Sequence, residues 1–355
     1  MSLEEISVQG FRNLDGTLLT LDPGINLIVG ANGAGKTSLL EAVYFLGRVR
    51  SFRVRDLSRL VAHGESACVV AGRVCDGEGR GHRLGVTREP GGVRARVDGR
   101  DVRLLSELAP LLPVEVINSE SQGLLTGRPA ERRRLLGWGV FHVEPDYRVE
   151  RRAFDRALVQ RNAALRQGDL RLARSWEPEL ALRGERVDAA QRRYLERLRP
   201  RWSQTLGRWL PRLQLDWRYR SGWRQGEALA ASLERGREGD LTQGHTGAGP
   251  QRADLVVMAG ERLAAEVLSR GQQKLVILAL RLAQVELAAS LGRRPVLLLD
   301  DLGAELDWDK RQRVLQTVAA QEVQLLMTAV EEREVPDGPI GRRFHVEQGR
   351  YHLVI

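Results

Sequence analysis

The run Gly30-Ala31-Asn32-Gly33-Ala34-Gly35-Lys36-Thr37, followed by Ser38, fits G-x-x-x-x-G-K-[ST] at every fixed position. Residues of these types do phosphate chemistry. Glycines let consecutive backbone N–H groups wrap phosphate oxygens, and a helix opening at Thr37 aims its positive dipole end at the same anion. The Lys36 ammonium reaches β- and γ-phosphates as a compact charge on a flexible stem, where a planar guanidinium would not fit. The Thr37 hydroxyl is a ligand for Mg2+, and such a site needs a carboxylate as well. Asp300 supplies one at the end of the apolar run Val296-Leu297-Leu298-Leu299, and Asp301 beside it is placed to polarise an attacking water. Lys36, Asp300 and Asp301 are thus the candidate catalytic residues, and Thr37 and Asp300 the candidate metal ligands.

These side chains act only if strands and helices deliver them. Ile25 to Val29 is mostly apolar and predicts a strand leading into the glycine loop, while Leu39, Leu40, Val43, Tyr44 and Leu46 recur at helical spacing over Thr37 to Leu46. Four apolar residues without alternation before Asp300 suit a strand buried on both faces of a sheet. Leu3 to Val8, Thr17 to Leu21, Ala67 to Val74 and Arg83 to Thr87 also read as strands. Val93 to Val97, Asp98-Gly99 and Val102 predict a hairpin on a tight turn, so part of the N-terminal region is antiparallel. From about Pro129 to Leu210 the texture becomes Arg-rich and helical, with breaks at Pro145, Gly168-Asp169 and Pro178 that predict helices of moderate length. No sustained heptad run marks a long coiled-coil arm. Strand texture returns at Leu213 to Tyr219 and at Asp254 to Val257. The expected organisation is a discontinuous head, residues 1–125 and 211–355, with an inserted helical lobe over 126–210.

A chain of 355 residues is long enough to bury a core without disulfides. Its net charge of +9 favours a polyanionic partner, without choosing between nucleic acid and an acidic membrane surface. Only Lys36, Lys274 and Lys310 among the 55 basic residues are lysines, a bias most simply due to genome composition. Cys68 and Cys75 lack partners at metal-ligand spacing and point to a reducing compartment. No apolar stretch approaches the ~18 residues of a membrane span, and the N-terminus has no leader pattern, so a cytoplasmic protein without a membrane partner is expected.

The Val296–Asp300 run resembles a Walker B strand. Leu268-Ser269-Arg270-Gly271-Gln272 opens the apolar helix Leu275 to Leu291 and resembles the LSGGQ signature of ABC-type ATPases, with Arg in place of one glycine. Taken alone, Ser-Arg-Gly-Gln is an ordinary helix N-cap; its place between Walker A and Walker B strengthens the match. In that superfamily the signature of one subunit closes over nucleotide held by the other, so the resemblance implies an ATP-dependent homodimer with Ser269, Arg270, Gly271 and Gln272 acting in trans. Ala304-Glu305-Leu306-Asp307 resembles the D-loop that crosses such an interface. The run Val323 to Met327 ends at Thr328-Ala329, where transporter ATPases usually carry a switch histidine. That absence, and Asp301 where many ABC proteins carry Glu, predict slow hydrolysis with ATP as a clamp.

The resemblance then narrows. Gly10-Phe11-Arg12-Asn13-Leu14, the glycine loop, Gly127-Arg128-Pro129-Ala130-Glu131-Arg132-Arg133-Arg134, Gln160-Arg161-Asn162-Ala163-Ala164-Leu165 and Gly249-Pro250-Gln251-Arg252-Ala253-Asp254-Leu255 are similar to the RecF family of bacterial recombination mediators. These are SMC-like ATPase heads without the long coiled coil. The resemblance implies an α/β P-loop NTPase of ABC/SMC-head type, a mixed sheet with an antiparallel N-terminal part, plus the inserted helical lobe. It also implies ATP and Mg2+ as cofactors, and binding to double-stranded DNA and gap junctions. RecR, with RecO and RecA downstream, would be the partners in gap repair, replication restart and SOS induction, on the nucleoid. By the same analogy Arg12 touches a nucleotide phosphate; a surface arginine after a strand is the alternative. The family usually differs at Asn118-Ser119-Glu120-Ser121, near Gly137 and at Gln251, and Glu120 stands near the Q-loop position.

Candidate DNA-phosphate contacts are Arg132, Arg133, Arg134, Arg151 and Arg152, with Arg192 and Arg193 less favoured; solvated helix faces are the ordinary alternative. The tryptophans, Trp202, Trp209, Trp217 and Trp223 among them, are read as packing between lobes rather than base-stacking groups. A different SMC-like or ABC-type ATPase of DNA maintenance is the rival reading. An overcoming-lysogenization-type nuclease subunit would need an acidic metal-binding nuclease domain with E…DxD patterning, for which no chain length is expected to remain after Ile355.

Overall fold

The computed structural model describes residues 1–14, 16–76, 78–102, 107–118, 123–301, 307–321 and 323–354. Tertiary contacts divide the chain into Met1–Ser121 with Leu278–Ile355 as one unit and Gln122–Ile277 as the other. The first unit begins with β1 (Ser2–Gln9), β2 (Thr17–Thr20), β3 (Ile25–Val29), α1 (Lys36–Arg48), β4 (Cys68–Cys75), β5 (Gly81–Glu89), β6 (Gly92–Val97), β7 (Arg100–Asp101) and β8 (Val114–Ile117). The second contains α2 (Gly123–Thr126), α3 (Pro129–Val143), α4 (Tyr147–Arg166), α5 (Leu170–Ser175), α6 (Glu177–Trp209), β9 (Leu215–Arg220), α7 (Leu229–Gln243), β10 (Asp254–Ala259), β11 (Arg262–Leu263) and α8 (Ala264–Val267). Helix α9 (Arg270–Ala289) spans the division, and the first unit resumes with β12 (Val296–Leu299), α10 (Trp308–Ala320), β13 (Leu325–Ala329), β14 (Ile340–Glu347) and β15 (Arg350–Val354).

The first unit is a mixed α/β fold. Its nucleotide-side sheet has the order β15-β14-β3-β13-β12-β8, parallel from β14 to β8 and closed by the antiparallel β14–β15 hairpin. In register, Val29 lies opposite Ala329, and Leu299 opposite both Met327 and Ile117. The carboxyl ends of β3, β12 and β13 therefore share one edge, where open parallel sheets place ligands. A second sheet, β2-β1-β4-β5-β6-β7, is wholly antiparallel. Its β6–β7 turn falls on Asp98 and Gly99, both at positive φ as the tight-turn signal requires. Helix α1 packs against both sheets: Leu39, Leu40, Val43, Phe45 and Leu46 join Val70, Val86, Val116 and Leu298 in one buried cluster. Burial of that helix face ties the glycine loop to the core.

In the second unit, β9, β10 and β11 form their own antiparallel sheet, Asp254 to Ala259 pairing with Arg220 to Leu215. This differs from the expected return to the head at residue 211: among the described residues these strands pair only with one another, and the second unit extends to Ile277. Helix lengths differ as well. Pro145 and Gly168-Asp169 lie between helices, but Pro178 sits in the first turn of α6, where its missing N–H costs nothing, and α6 runs for 33 residues. It continues through Pro200, a helix-interior proline costing ~3 kcal/mol, because Leu195, Leu198, Trp202 and Leu206 remain buried on either side. Trp202 stacks on Trp217 with centroids 4.6 Å apart, so these two tryptophans pack within one unit rather than between lobes.

Buried polar residues specify the second unit's loops. Arg161 on α4 is fully buried and donates to Asp240 at 2.7 Å, to Thr246 Oγ1 at 2.7 Å and to Glu177 at 3.1 Å. Asn162 Oδ1 accepts from the Thr246 backbone N–H and hydroxyl. Thus Arg161-Asn162 pins the segment after α7 to α4. Among the described residues no helix is long and apolar enough to cross a membrane. Cys68 and Cys75 are free thiols, and burial pushes the Cys68 thiol up to about 11.

Candidate nucleotide site

At the shared strand edge the chain leaves β3 at Gly30, turns, and enters α1 at Lys36. Two glycines are indispensable to that path. A Cβ at Gly30 would stand 2.3 Å from the Val346 carbonyl oxygen of β14, and Gly35 holds φ +122°, a region L side chains rarely adopt. The β14–β15 turn braces the loop from outside: Gly349 N–H donates to Ala34 O at 2.7 Å, and Tyr351 hydroxyl to Gly35 O at 2.9 Å. Asn13 braces it from the other side, donating to Gly33 O at 3.2 Å and accepting from the Ser38 hydroxyl at 2.7 Å.

Lys36 is nearly buried, and its ammonium donates to Gly30 O at 2.6 Å and Ala31 O at 3.0 Å. Burial lowers its pKa while the charges of Asp301 and Asp300 oppose that shift. Thr37 Oγ1 donates to Asp300 Oδ1 at 3.0 Å. Asp300 also accepts from Thr328 Oγ1 at 2.9 Å, and Thr328 in turn accepts the Asp301 backbone N–H at 2.8 Å. Asp301 adopts φ +53°, turning the chain away from β12 immediately after the acidic pair begins. Burial raises the Asp300 carboxyl pKa, against the two hydroxyl donors, because ionisation there sacrifices hydration. Lys36, Thr37, Asp300 and Asp301, with Arg12, Asn13, Asn32, Gly33, Gly35, Ser38, Arg53 and Arg59, line one cleft of about 540 Å3.

Arg12 is no loose surface side chain. It sits at φ +56° and forms a bidentate pair with Glu41, Nε–Oε2 2.9 Å and Nη2–Oε1 2.9 Å. Glu41 is fully buried on α1 and also accepts from Ser51 and, at 3.5 Å, from Arg53. Sequence reasoning missed Glu41 and the positioning role of Thr328, and it passed over Arg53 and Arg59. Glu41 left a signal, a single acid amid Leu39, Leu40, Ala42 and Val43. Thr328 left one too, a polar residue closing an apolar run.

The other predicted residues fall elsewhere. Ser269 and Gln272 form a reciprocal capping box on α9: Gln272 Oε1 accepts from Ser269 N at 2.9 Å, and Ser269 Oγ from Gln272 N at 3.3 Å. The cap leaves Ser269 and Arg270 exposed, with Gly271 partly so. Asp307 caps α10, accepting from Lys310 N at 3.1 Å and pairing with its ammonium. Glu305 and Glu120 lie outside the described residues. Of the candidate DNA contacts, Arg132 is clamped on Asp254 at 2.7 and 3.0 Å, and Arg151 pairs with Asp155 at 3.0 Å. Arg133 donates to Ala253 O at 3.2 Å, while Arg134 and Arg152 are exposed on α3 and α4.

A glycine loop holding a lysine, with a hydroxyl and half-buried carboxylates across a parallel sheet edge, is equipped to bind a nucleoside triphosphate. Known proteins resemble the chain over nearly its whole length. The RecF/RecN/SMC N terminal domain family matches residues 2–346. DNA replication and repair protein RecF of Pseudomonas fluorescens (strain SBW25) is 41% identical over 99% of this chain and 98% of its own. A solved structure of the recombination mediator protein RecF-ATP in the RecFOR pathway superposes with TM-score 0.89 at 26% identity, covering 100% of this chain and 98% of the other. An Smc head bound to the C-winged helix domain of ScpA, 15% identical, shares the fold with TM-score 0.61 over 100% of this chain and 98% of its own.

Proposed function

This chain belongs to the RecF family, and from that premise we propose that it is a recombination-repair ATPase that binds ATP with Mg2+ and closes around it as a dimer on DNA. The observation that carries the reading is the convergence of Lys36, Thr37, Asp300 and Asp301 on one cleft at the carboxyl edge of the parallel strands. The donor set fits the metal: the Thr37 hydroxyl and the Asp300 carboxylate are hard oxygens already 3.0 Å apart, and a divalent cation offsets the desolvation cost of ionising that half-buried carboxylate. Bound Mg2+ would neutralise phosphate charge. Around it, Lys36 holds the β- and γ-phosphates, Arg12 is kept by Glu41 at the cleft wall, and Asp301 orients water.

The exposed α9 N-terminus at Ser269 supplies the anion site that closes over a second chain's nucleotide, with Asp307 near that interface. Thr328 in place of a histidine and the short Asp301 side chain favour slow hydrolysis, with ATP holding the dimer rather than driving a stroke. The DNA is duplex and gapped, with Arg133 and Arg134 as phosphate contacts, and the partners are RecR and RecO in placing RecA during gap repair, replication restart and SOS induction. The work is done in the cytoplasm, on the nucleoid. Sedimentation velocity with a slowly hydrolysed ATP analogue and a gapped duplex tests this. A nucleotide-dependent shift to a DNA-retaining dimer is expected, abolished by Ser269→Arg while nucleotide affinity is retained. A dimer that persists unchanged in Ser269→Arg refutes the trans arrangement.

A further inference from the structure

The second unit carries a cleft of about 950 Å3 that the nucleotide reading does not use. Six arginines line it, Arg128, Arg133, Arg192, Arg220, Arg224 and Arg252, against one carboxylate, Asp254. That carboxylate is already spent on Arg132, at 2.7 and 3.0 Å. Arg192 has Asp188 at 2.7 Å, but Arg128, Arg220, Arg224 and Arg252 are exposed and form no ion pair among the described residues. Unpaired cations gathered in a concavity repel one another and focus a positive potential, an arrangement that becomes favourable when a polyanion enters.

Position separates this cleft from the signature. Arg220 and Asp254 pair at one end of the β9–β10 ladder, whereas the opposite end, at Ala259, leads through β11 and α8 to Ser269. The six residues of β10 place the two ends ~17 Å apart. An aromatic surface completes the cleft. Trp223 lines it half-buried, its indole N–H donating to Glu227 O at 2.9 Å, which fixes the ring; the face of Tyr219 is taken by Arg192, 5.1 Å from the centroid.

Guanidinium forks suit phosphates and carboxylates alike, so the aromatic decides between a nucleic acid and an acidic peptide. A base can lie on Trp223 only if it is unstacked, which a duplex does not offer and a single strand does. We propose that this cleft binds a single-stranded segment of nucleic acid, with its phosphates on Arg128, Arg220, Arg224 and Arg252 and a base on Trp223. The inference rests on the reading of the protein as DNA-acting, and gives that DNA's unpaired portion its own seat.

The test uses the full chain, fluorescence anisotropy, and two labelled probes, an oligothymidylate of about 20 nucleotides and a duplex of equal length. Arg220→Gln/Arg224→Gln removes two exposed cations, and should weaken oligothymidylate binding by about tenfold at low salt and cut its log–log salt slope by about 1.4. Trp223→Ala should weaken it by about fivefold or more, with Trp223→Phe restoring most of the loss. Duplex affinity, ATP affinity and the unfolding midpoint should stay at wild-type values. Oligothymidylate binding indifferent to these variants, or duplex binding reduced as much as single-strand binding, overturns the inference while leaving the DNA reading intact. So does an oligoglutamate that competes with the same arginine dependence but ignores Trp223→Ala. Wild-type protein that binds neither probe, with or without ATP, refutes the DNA reading itself.

Discussion

Thr328→Val isolates the contact through which β13 positions the acidic pair. Valine keeps the shape and β-branching of threonine at a fully buried strand position, so neither a cavity nor a loss of strand preference is introduced. What disappears is one hydroxyl, which donates to Asp300 Oδ1 at 2.9 Å and accepts from the Asp301 N–H at 2.8 Å. A hydrogen bond to an ionised group is worth ~1.5–3 kcal/mol, or about 10- to 150-fold in affinity. Asp300 keeps its Thr37 donor, so the loss falls on the metal-dependent part of nucleotide binding. Calorimetric titration with ATP, with Mg2+ and with a chelator, separates that part. The gain in affinity from Mg2+ should shrink by about 10- to 150-fold, whereas Mg2+-free binding on the glycine loop should hold. Loss of a donor to the carboxylate raises further a pKa that burial already raises, so Mg2+-dependent binding should also fail at a higher pH than in the wild type. An unchanged Mg2+ gain in a folded Thr328→Val protein, or an equal fall with and without Mg2+, would refute the reasoning.

Asp300→Asn should raise the unfolding temperature of the nucleotide-free protein at neutral pH while abolishing the Mg2+ gain. Burial places the folded pKa above the unfolded one, so the carboxyl's contribution to stability is present below the unfolded pKa and lost as pH rises through the folded pKa. Calorimetric scans should therefore show the two proteins converging in acid below the usual Asp range of ~3.9, and a lower midpoint for the variant at neutral pH would contradict this. Arg161→Met should destabilise the second unit by ~3–5 kcal/mol in denaturant titrations, because Asp240 stays buried without its guanidinium while Glu177 keeps only Arg237; a cost below ~1 kcal/mol would mean the network is dispensable.

The parts of the site that one local pattern can announce were readable from the sequence. A glycine loop must follow a strand and open a helix, and four apolar residues before an acid must be a doubly buried strand, so Gly30 to Ser38 and Asp300 declared themselves with their elements. Contacts that depend on register across the sheet left weaker traces. Thr328 reaches Asp300 because β12 and β13 run parallel with Leu299 beside Met327, a relation 28 residues apart that no window contains. Glu41 reaches Arg12 from a helix to a loop 29 residues earlier. The motif segments around Arg132, Arg161 and Gln251 suggested function by resemblance. Yet Arg132 closes on Asp254, Arg161 on Asp240 and Glu177, and Gln251 on the Ala248 carbonyl at 2.9 Å, so much of that similarity records how the second unit is held together. Helix length was misjudged for a related reason: Pro178 breaks a helix only when it falls inside one, and here it begins α6.

The phosphate-binding groups of the cleft already have partners within the chain. Lys36 is bonded to two carbonyls of its own loop and Thr37 to Asp300, so an entering phosphate exchanges hydrogen bonds instead of adding them to unpaired groups. Such exchanges net ~0.5–1.5 kcal/mol each, far below the ~4–6 kcal/mol of a bond made in isolation. On that count binding to one chain should be modest, and the γ-phosphate would gain most from a further anion site. In the proposed dimer the exposed N-terminus of α9 would be that site, already ordered by the Ser269–Gln272 cap. In that proposed dimer the triphosphate would stabilise the pair of chains more than either alone. Under the proposed arrangement, loss of the γ-phosphate would loosen that dimer without any change in the glycine loop that first bound it.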